Sequence, residues 1–174
     1  MTNQHIYVVP TSAWYIERAT WVVAGTVMVA STALAAFVDP RFVVFAMATG
    51  VASIVVAFSG FCMVGSVLQR LGLPSKLVDT RRSGRYYFVR TDSWYLERRI
   101  FVTVGINITI ASILSLAHNP WWLAFTGFVG LAMFWFSATG FCIMANMLYW
   151  IGAEPRLAPE YARRPSAVPS AGRP

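Results

Sequence analysis

The sequence predicts an all-α membrane protein whose four transmembrane helices form two parallel-repeat helical hairpins. Three observations carry this prediction: an apolar composition, four apolar stretches of spanning length, and an internal repeat. Hydrophobic residues make up 57% of the 174-residue chain and charged residues only 12%, about half the charged share of an ordinary soluble domain. Apolar stretches run from Ala19 to Val38, Phe42 to Leu68, Ile100 to Ala117 and Trp121 to Trp150. Each is close to or beyond the roughly 20 residues that cross about 30 Å of hydrocarbon as a helix. The opening Met1 to His5 has no basic segment of the secretory kind, so the first span is expected to be retained.

Tyr7 to Leu77 returns as Tyr87 to Leu157 without a gap, an offset of 80 residues. About 20 of roughly 70 aligned positions are identical, and they fall on motif residues and helix breakers, which shared apolar filler would not produce. Gly25 and Gly105 match, as do Pro40 and Pro120, and Gly60-Phe61-Cys62 matches Gly140-Phe141-Cys142. The chain divides accordingly into a first two-helix repeat (1–77), a linker (78–86), a second repeat (87–157) and a tail (158–174) expected to be disordered. Because each unit has an even number of spans, the second re-enters the membrane in the first one's orientation, and a pseudo-two-fold axis follows the membrane normal.

The basic residues set the orientation, since Lys and Arg beside a span resist translocation. Arg18 precedes the first span; Arg70, Lys76, Arg81, Arg82, Arg85, Arg90, Arg98 and Arg99 lie between the second and third; Arg156, Arg163, Arg164 and Arg173 follow the fourth. Only Arg41 lies on the other side. Both termini and the central loop are therefore expected in the cytoplasm, with tight external turns at Asp39-Pro40-Arg41 and His118-Asn119-Pro120. Topology and attraction to anionic headgroups account for the net charge of +7, and no nucleic-acid partner is implied.

Residues 1–10 read as a short, weakly ordered lead. Thr11 to Trp14 and Thr91 to Trp94 offer short oxygen-bearing side chains for helix N-caps. Trp14, Tyr15, Glu17, Arg18 and their counterparts Trp94, Tyr95, Glu97, Arg98 read as interfacial anchors, with aromatic rings at headgroup level. Ala46, Gly50, Ser53 and Ala57 on the second span, and Gly127 and Gly130 on the fourth, supply small faces for close helix approach.

On the even spans Ser59, Cys62, Ser66 and Gln69 line one helical face, and so do Thr139, Cys142, Asn146 and Tyr149. Each repeat then carries a polar stripe with a thiol in it. The stripes admit three uses: hydrogen-bonding glue between spans, a cytoplasm-facing path for a small sulfur species, or soft ligation at Cys142 with Met144 and Met147. The first copy has no matching Met pair, and no metal or cofactor is expected. The cysteines, on the cytoplasmic side, are expected to be reduced thiols. Asn107 with Thr103 is a further polar spot, without a counterpart in the first span. No acidic or basic side chain lies deep in a span, which argues against an ion-coupled pump. No catalytic motif appears, and no enzymatic activity is expected.

Each unit resembles the small two-helix transmembrane domain of YgaP-like inner-membrane proteins. The resemblance rests on Glu17-Arg18, Gly25, Gly60-Phe61-Cys62 and Leu71-Gly72, then Glu97-Arg98, Gly105, Gly140-Phe141-Cys142 and Ile151-Gly152, and it covers about 140 residues as a tandem pair. It implies a bacterial inner-membrane location and, because that domain often accompanies a rhodanese, sulfur trafficking. Met63 and Ile143 stand where the family commonly has proline. Fold is expected to carry over and sulfurtransferase activity is not. The expected function is a non-enzymatic accessory or scaffold subunit in the lipid bilayer, packed against other membrane subunits or its own copies; the alternative is a thiol-linked conduit.

Overall fold

The computed structural model describes residues 6–158. It is an all-α membrane protein: α1 (Ile16–Phe37), a 3-10 turn (Pro40–Phe42), α2 (Val43–Ser59), α3 (Met63–Arg70), α4 (Leu96–Ala117), α5 (Trp122–Thr139) and α6 (Ile143–Trp150). Four segments are long and apolar enough to cross a membrane: α1, the 3-10 turn with α2, α4 and α5. No strand forms among the described residues, only isolated bridges between extended segments.

The even spans are shorter than the apolar pattern indicates. α2 stops at Ser59 and α5 at Thr139, because Gly60 and Gly140 take left-handed backbone angles (φ 78° and 73°). An extended segment of the other repeat meets each break. Val89 N–H donates to the Gly60 carbonyl at 2.8 Å, and Val9 N–H donates to the Gly140 carbonyl at 2.9 Å. A Cβ on Gly60 would lie 2.6 Å from the Val89 oxygen, so both dihedral and space demand glycine there. Short helices α3 and α6 then restart the chain, with Cys62 and Cys142 in the N-cap positions.

The N-caps of α1 and α4 also differ from expectation. Tyr15 and Tyr95 occupy them without a side-chain cap. The segment returning after each short helix does the work instead: the Pro74 carbonyl accepts from Ile16 N–H at 2.9 Å, and the Glu154 carbonyl accepts from Leu96 N–H at 2.8 Å. These partners lie some 58 residues away, beyond the reach of a local capping rule.

The helices of each hairpin touch, but the most extensive packing joins the repeats, α1 against α5 and α2 against α4. Glycines permit it. Gly25 faces Gly130, where a Cβ would stand 3.0 Å from the opposing carbonyl, and Gly50 faces Gly105, where it would stand 2.9 Å away. The two crossings are related by the repeat offset. Trp21 and Phe101, 80 residues apart, stack on each other at 5.0 Å between centroids. The small faces on the even spans are therefore used inside the bundle, for close backbone approach.

Residues 6–10 are not a loose lead, since Tyr7 and Val9 are buried in the core. Residues 153–158 pack inward through Ala153, Leu157 and Ala158. The remainder of the expected tail, and residues 1–5, lie outside the described residues.

Gly105→Val tests the inter-repeat crossing. The added carbon meets Ile54 Cγ1 at 2.6 Å and the Gly50 carbonyl at 2.7 Å, and a backbone obstacle cannot rotate away. A loss of about 1–3 kcal/mol is expected, read as a lower unfolding midpoint of the full chain in detergent; an unchanged midpoint would show that the crossing is not close-packed.

Candidate functional site

Two polar nodes occupy the end of the bundle from which α1 and α4 start. Glu17, one residue inside α1, is 3% exposed. Its Oε1 accepts from Leu77 N–H at 2.6 Å, Lys76 N–H at 3.1 Å, Ser75 Oγ–H at 2.7 Å and Tyr87 O–H at 2.7 Å. Glu97, one residue inside α4, accepts from Leu157 N–H at 2.7 Å, Arg156 N–H at 3.0 Å and Tyr7 O–H at 2.9 Å. Each carboxylate thus holds the returning segment of its own repeat and the leading tyrosine of the other one. Burying a carboxylate is tolerable only with such donors, and the first turn of a helix is electrostatically suited to negative charge.

The arginines beside them work differently from anchors. Arg18 Nε donates to the Ser137 carbonyl at 2.7 Å, and Arg98 Nε donates to the Ala57 carbonyl at 2.6 Å. Each therefore occupies the C-terminal turn of the other repeat's span, where carbonyls lack helical partners. Each guanidinium also covers a ring, Arg18 over Trp14 at 4.2 Å and Arg98 over Trp94 at 3.9 Å. Trp14 and Trp94 are exposed. Tyr15 and Tyr95 are buried, and their hydroxyls donate to the carbonyls of Pro10 and Arg90. Burial pushes the Tyr15 phenol up to about 12, and those of Tyr7, Tyr87 and Tyr95 go up too, with the neighbouring Glu97 or Glu17 carboxylate adding to it. All four are neutral donors at physiological pH. Of the eight expected anchors, Tyr15, Glu17, Tyr95, Glu97 and Arg98 are interior residues, because the returning segments and opposing spans cover them.

The breaks at Gly60 and Gly140 also dissolve the helical geometry of the thiol stripes. Ser59 and Thr139 end their spans: each hydroxyl donates to a carbonyl one turn back and accepts from Phe61 or Phe141 N–H beyond the break. Cys62 is buried, and its Sγ accepts from Gly65 N–H at 3.2 Å. Cys142 is half-buried in the equivalent place. Ser66 Oγ accepts from Tyr87 N–H at 3.0 Å, while Asn146 Oδ1 accepts from Tyr7 N–H and its Nδ2 donates to the Tyr7 carbonyl. Gln69 reaches Ser83 Oγ at 3.4 Å, and the Tyr149 ring lies against Tyr7, 6.1 Å between centroids. The structure brings Ser66, Asn146 and Tyr149 to the node tyrosines and assigns the other stripe positions to helix ends and loop contacts. Burial raises both thiols above the ordinary range, opposite to the shift that activates a nucleophilic cysteine.

No group of three or more His, Cys, Asp or Glu residues able to hold a metal ion forms among the described residues. Asn107 donates to the Thr103 carbonyl at 2.8 Å on an exposed face. At the opposite end of the bundle a groove of about 730 Å³ runs between the ends of α1 and α4 and the start of α5, past Thr32, Ala36, Ser115, His118 and Trp121. Sequence reasoning missed Tyr7 and Tyr87 as carboxylate partners. Their signal was present: this tyrosine opens the repeat and is identical in both copies. No family model, characterised protein or solved structure compared with the chain gives a match.

Two outcomes follow from this geometry. Tyr7→Phe removes one of three donors from Glu97, whereas Tyr87→Phe removes one of four from Glu17, counted among the described residues. Each loss costs about 1.5–3 kcal/mol, with Tyr7→Phe the more damaging in detergent unfolding; the reverse order contradicts the donor count. The thiols should alkylate slowly at pH 7, Cys62 more slowly than Cys142, and both should accelerate only above the pH at which a free cysteine ionises. Maleimide labelling followed by mass spectrometry checks it, and free-cysteine rates at Cys62 would refute the buried cap.

Proposed function

We propose that this multi-pass membrane protein is a non-enzymatic accessory or scaffold subunit of a larger assembly in the bacterial inner membrane. One observation carries the reading: the polar residues of both nodes are engaged in fixing the chain to itself. Glu17, Glu97, Arg18, Arg98, Ser66 and Asn146 all bind backbone of returning segments or of the opposite repeat. Such a bundle is built to hold a shape. What it offers a neighbour is its outer faces, notably Phe128, Leu131 and Trp135, which are exposed along one side of α5. Their i, i+3, i+7 spacing makes a ridge suited to packing against another span.

Each repeat, in this reading, is a YgaP-like two-helix domain used for architecture, with the nodes and both termini facing the cytoplasm. The polar thiol positions then need no traffic through them. Cys62 caps α3 through its sulfur and Cys142 occupies the N-cap position of α6, and raised thiols suit such positions better than sulfur transfer.

The test is purification of the tagged full chain from its native membrane in mild detergent, with mass spectrometry of what accompanies it. Stoichiometric larger membrane subunits are expected, and their recovery should fall when Phe128 and Trp135 are both replaced by alanine while the unfolding midpoint holds. Recovery of the chain alone would overturn the accessory role.

A further inference from the structure

The two short helices lie just past the ends of spanning segments. The 20 residues Pro40–Ser59, at about 1.5 Å each, already use up the roughly 30 Å of hydrocarbon. α3 therefore starts at the boundary of the core. It nevertheless leaves an apolar row uncovered: Met63 is 72% exposed, Val67 55% and Leu71 71%. These sit at i, i+4 and i+8, one face of the helix, opposite the Gly65 and Ser66 side that is buried against Tyr87. The row recurs on the second repeat as the exposed Ile143, Met147 and Ile151. An amphipathic helix with an uncovered apolar face is suited to lying in the interface plane.

Among the described residues, charge distinguishes the two copies. Arg70 ends α3, and the loop after it brings Arg81, Arg82 and Arg85, all exposed. None of the four has a carboxylate partner among the described residues; the salt bridge formed there joins Arg156 to Asp92. The contrast with Arg18, Arg98 and Arg156 is complete, since those three are occupied by internal acceptors. Two of the four are held in place by rings. The Arg70 guanidinium lies 5.8 Å from the centre of Tyr86, and that of Arg82 lies 5.2 Å from the centre of Phe88. Phe61 joins those rings, 6.1 Å from Tyr86 and 5.7 Å from Phe88. An aromatic strip thus carries a positioned cation at each end, beside the apolar row. At the position equivalent to Arg70 the second repeat has Trp150, itself 64% exposed.

We propose that α3 and the loop over residues 78–89 form a binding platform for anionic phospholipid headgroups on the membrane face. Met63, Val67 and Leu71 enter the acyl boundary while Arg70, Arg81, Arg82 and Arg85 engage lipid phosphates. The platform is assigned to the first repeat, where apolar row and arginines lie together among the described residues; Arg163 and Arg164, which follow the second row in sequence, lie outside them. It is independent of the accessory role, which concerns the spans. Arginine suits the task through its forked donors, and stacking on a ring leaves those donors at the edge open to phosphate oxygen.

The test uses the full chain purified in neutral detergent, titrated with phosphatidylglycerol or with phosphatidylcholine of the same acyl chains, and read by native mass spectrometry. Phosphatidylglycerol should bind the more tightly. Replacing Arg81, Arg82 and Arg85 by glutamine should weaken it by about fivefold for each arginine removed, leaving phosphatidylcholine unaffected. Arg41→Gln, at the other end of the spans, should change neither. If the triple variant does not fold, salt takes its place: raising sodium chloride on the wild type should weaken phosphatidylglycerol binding alone. Equal binding of the two lipids, or a phosphatidylglycerol affinity indifferent to the variant or to salt, overturns the platform. Full competition by inorganic phosphate at comparable concentration would overturn the membrane source in favour of a soluble phosphate.

Discussion

The structure depends on burying a carboxylate at the start of each odd span and surrounding it with donors from two different parts of the chain. Glu17 and Glu97 are buried, and a bare charge in that setting would be prohibitively costly. The donors needed are the backbone amides of residues 76–77 and 156–157, together with the hydroxyls of Tyr87 and Tyr7. Satisfying the charge therefore fixes where the chain returns after each short helix and which neighbour it accepts. Because the tyrosine comes from the opposite repeat, neither carboxylate is fully satisfied within one sequence repeat. The packing unit is thus out of phase with the sequence repeat by roughly ten residues: the opening of each copy belongs structurally to the other.

That reciprocity explains why the helix breaks fall where they do. The extended segments at Val9 and Val89 must pair with the chain just after a span, and an unbroken helix has no free carbonyl to offer there. Left-handed Gly60 and Gly140 release one each. Arg18 and Arg98 then take further carbonyls near the same ends, Ser137 and Ala57. The close glycine crossings of α1 with α5 and of α2 with α4 bring these partners within reach. Node, break and crossing are mutually dependent.

Much of this was legible in the sequence, and its failures have physical causes. Apolar length found all four spans, because crossing a bilayer is a requirement on composition. The internal repeat pointed to Gly25, Gly60, Cys62 and their counterparts as special. Hydropathy does not encode dihedral angles, so Phe42 to Leu68 read as one helix although Gly60 turns it. Glu17 and Arg18 read as interfacial because a charged pair beside a span usually meets headgroups; only the return of residues 74–77 covers Glu17. The thiol stripes failed with the helix they assumed.

The places where the copies differ show the same constraint met by different means. Tyr87 is held from two sides: Ser66 binds its N–H, and the adjoining residues pair with 77–79 through Asp79 N–H to the Phe88 carbonyl and Arg90 N–H to the Leu77 carbonyl. Tyr7 is met by a different side chain. There the position of Ser66 is taken by Asn146, whose amide binds both the Tyr7 N–H and the Tyr7 carbonyl. A hydroxyl binds one end of the tyrosine backbone in the first case, and a two-ended amide binds both its N–H and its carbonyl in the second. Ser75 and Pro155 differ in the same way. The hydroxyl that reaches Glu17 is missing at Glu97, so the second node relies more heavily on the tyrosine that crosses from the first repeat.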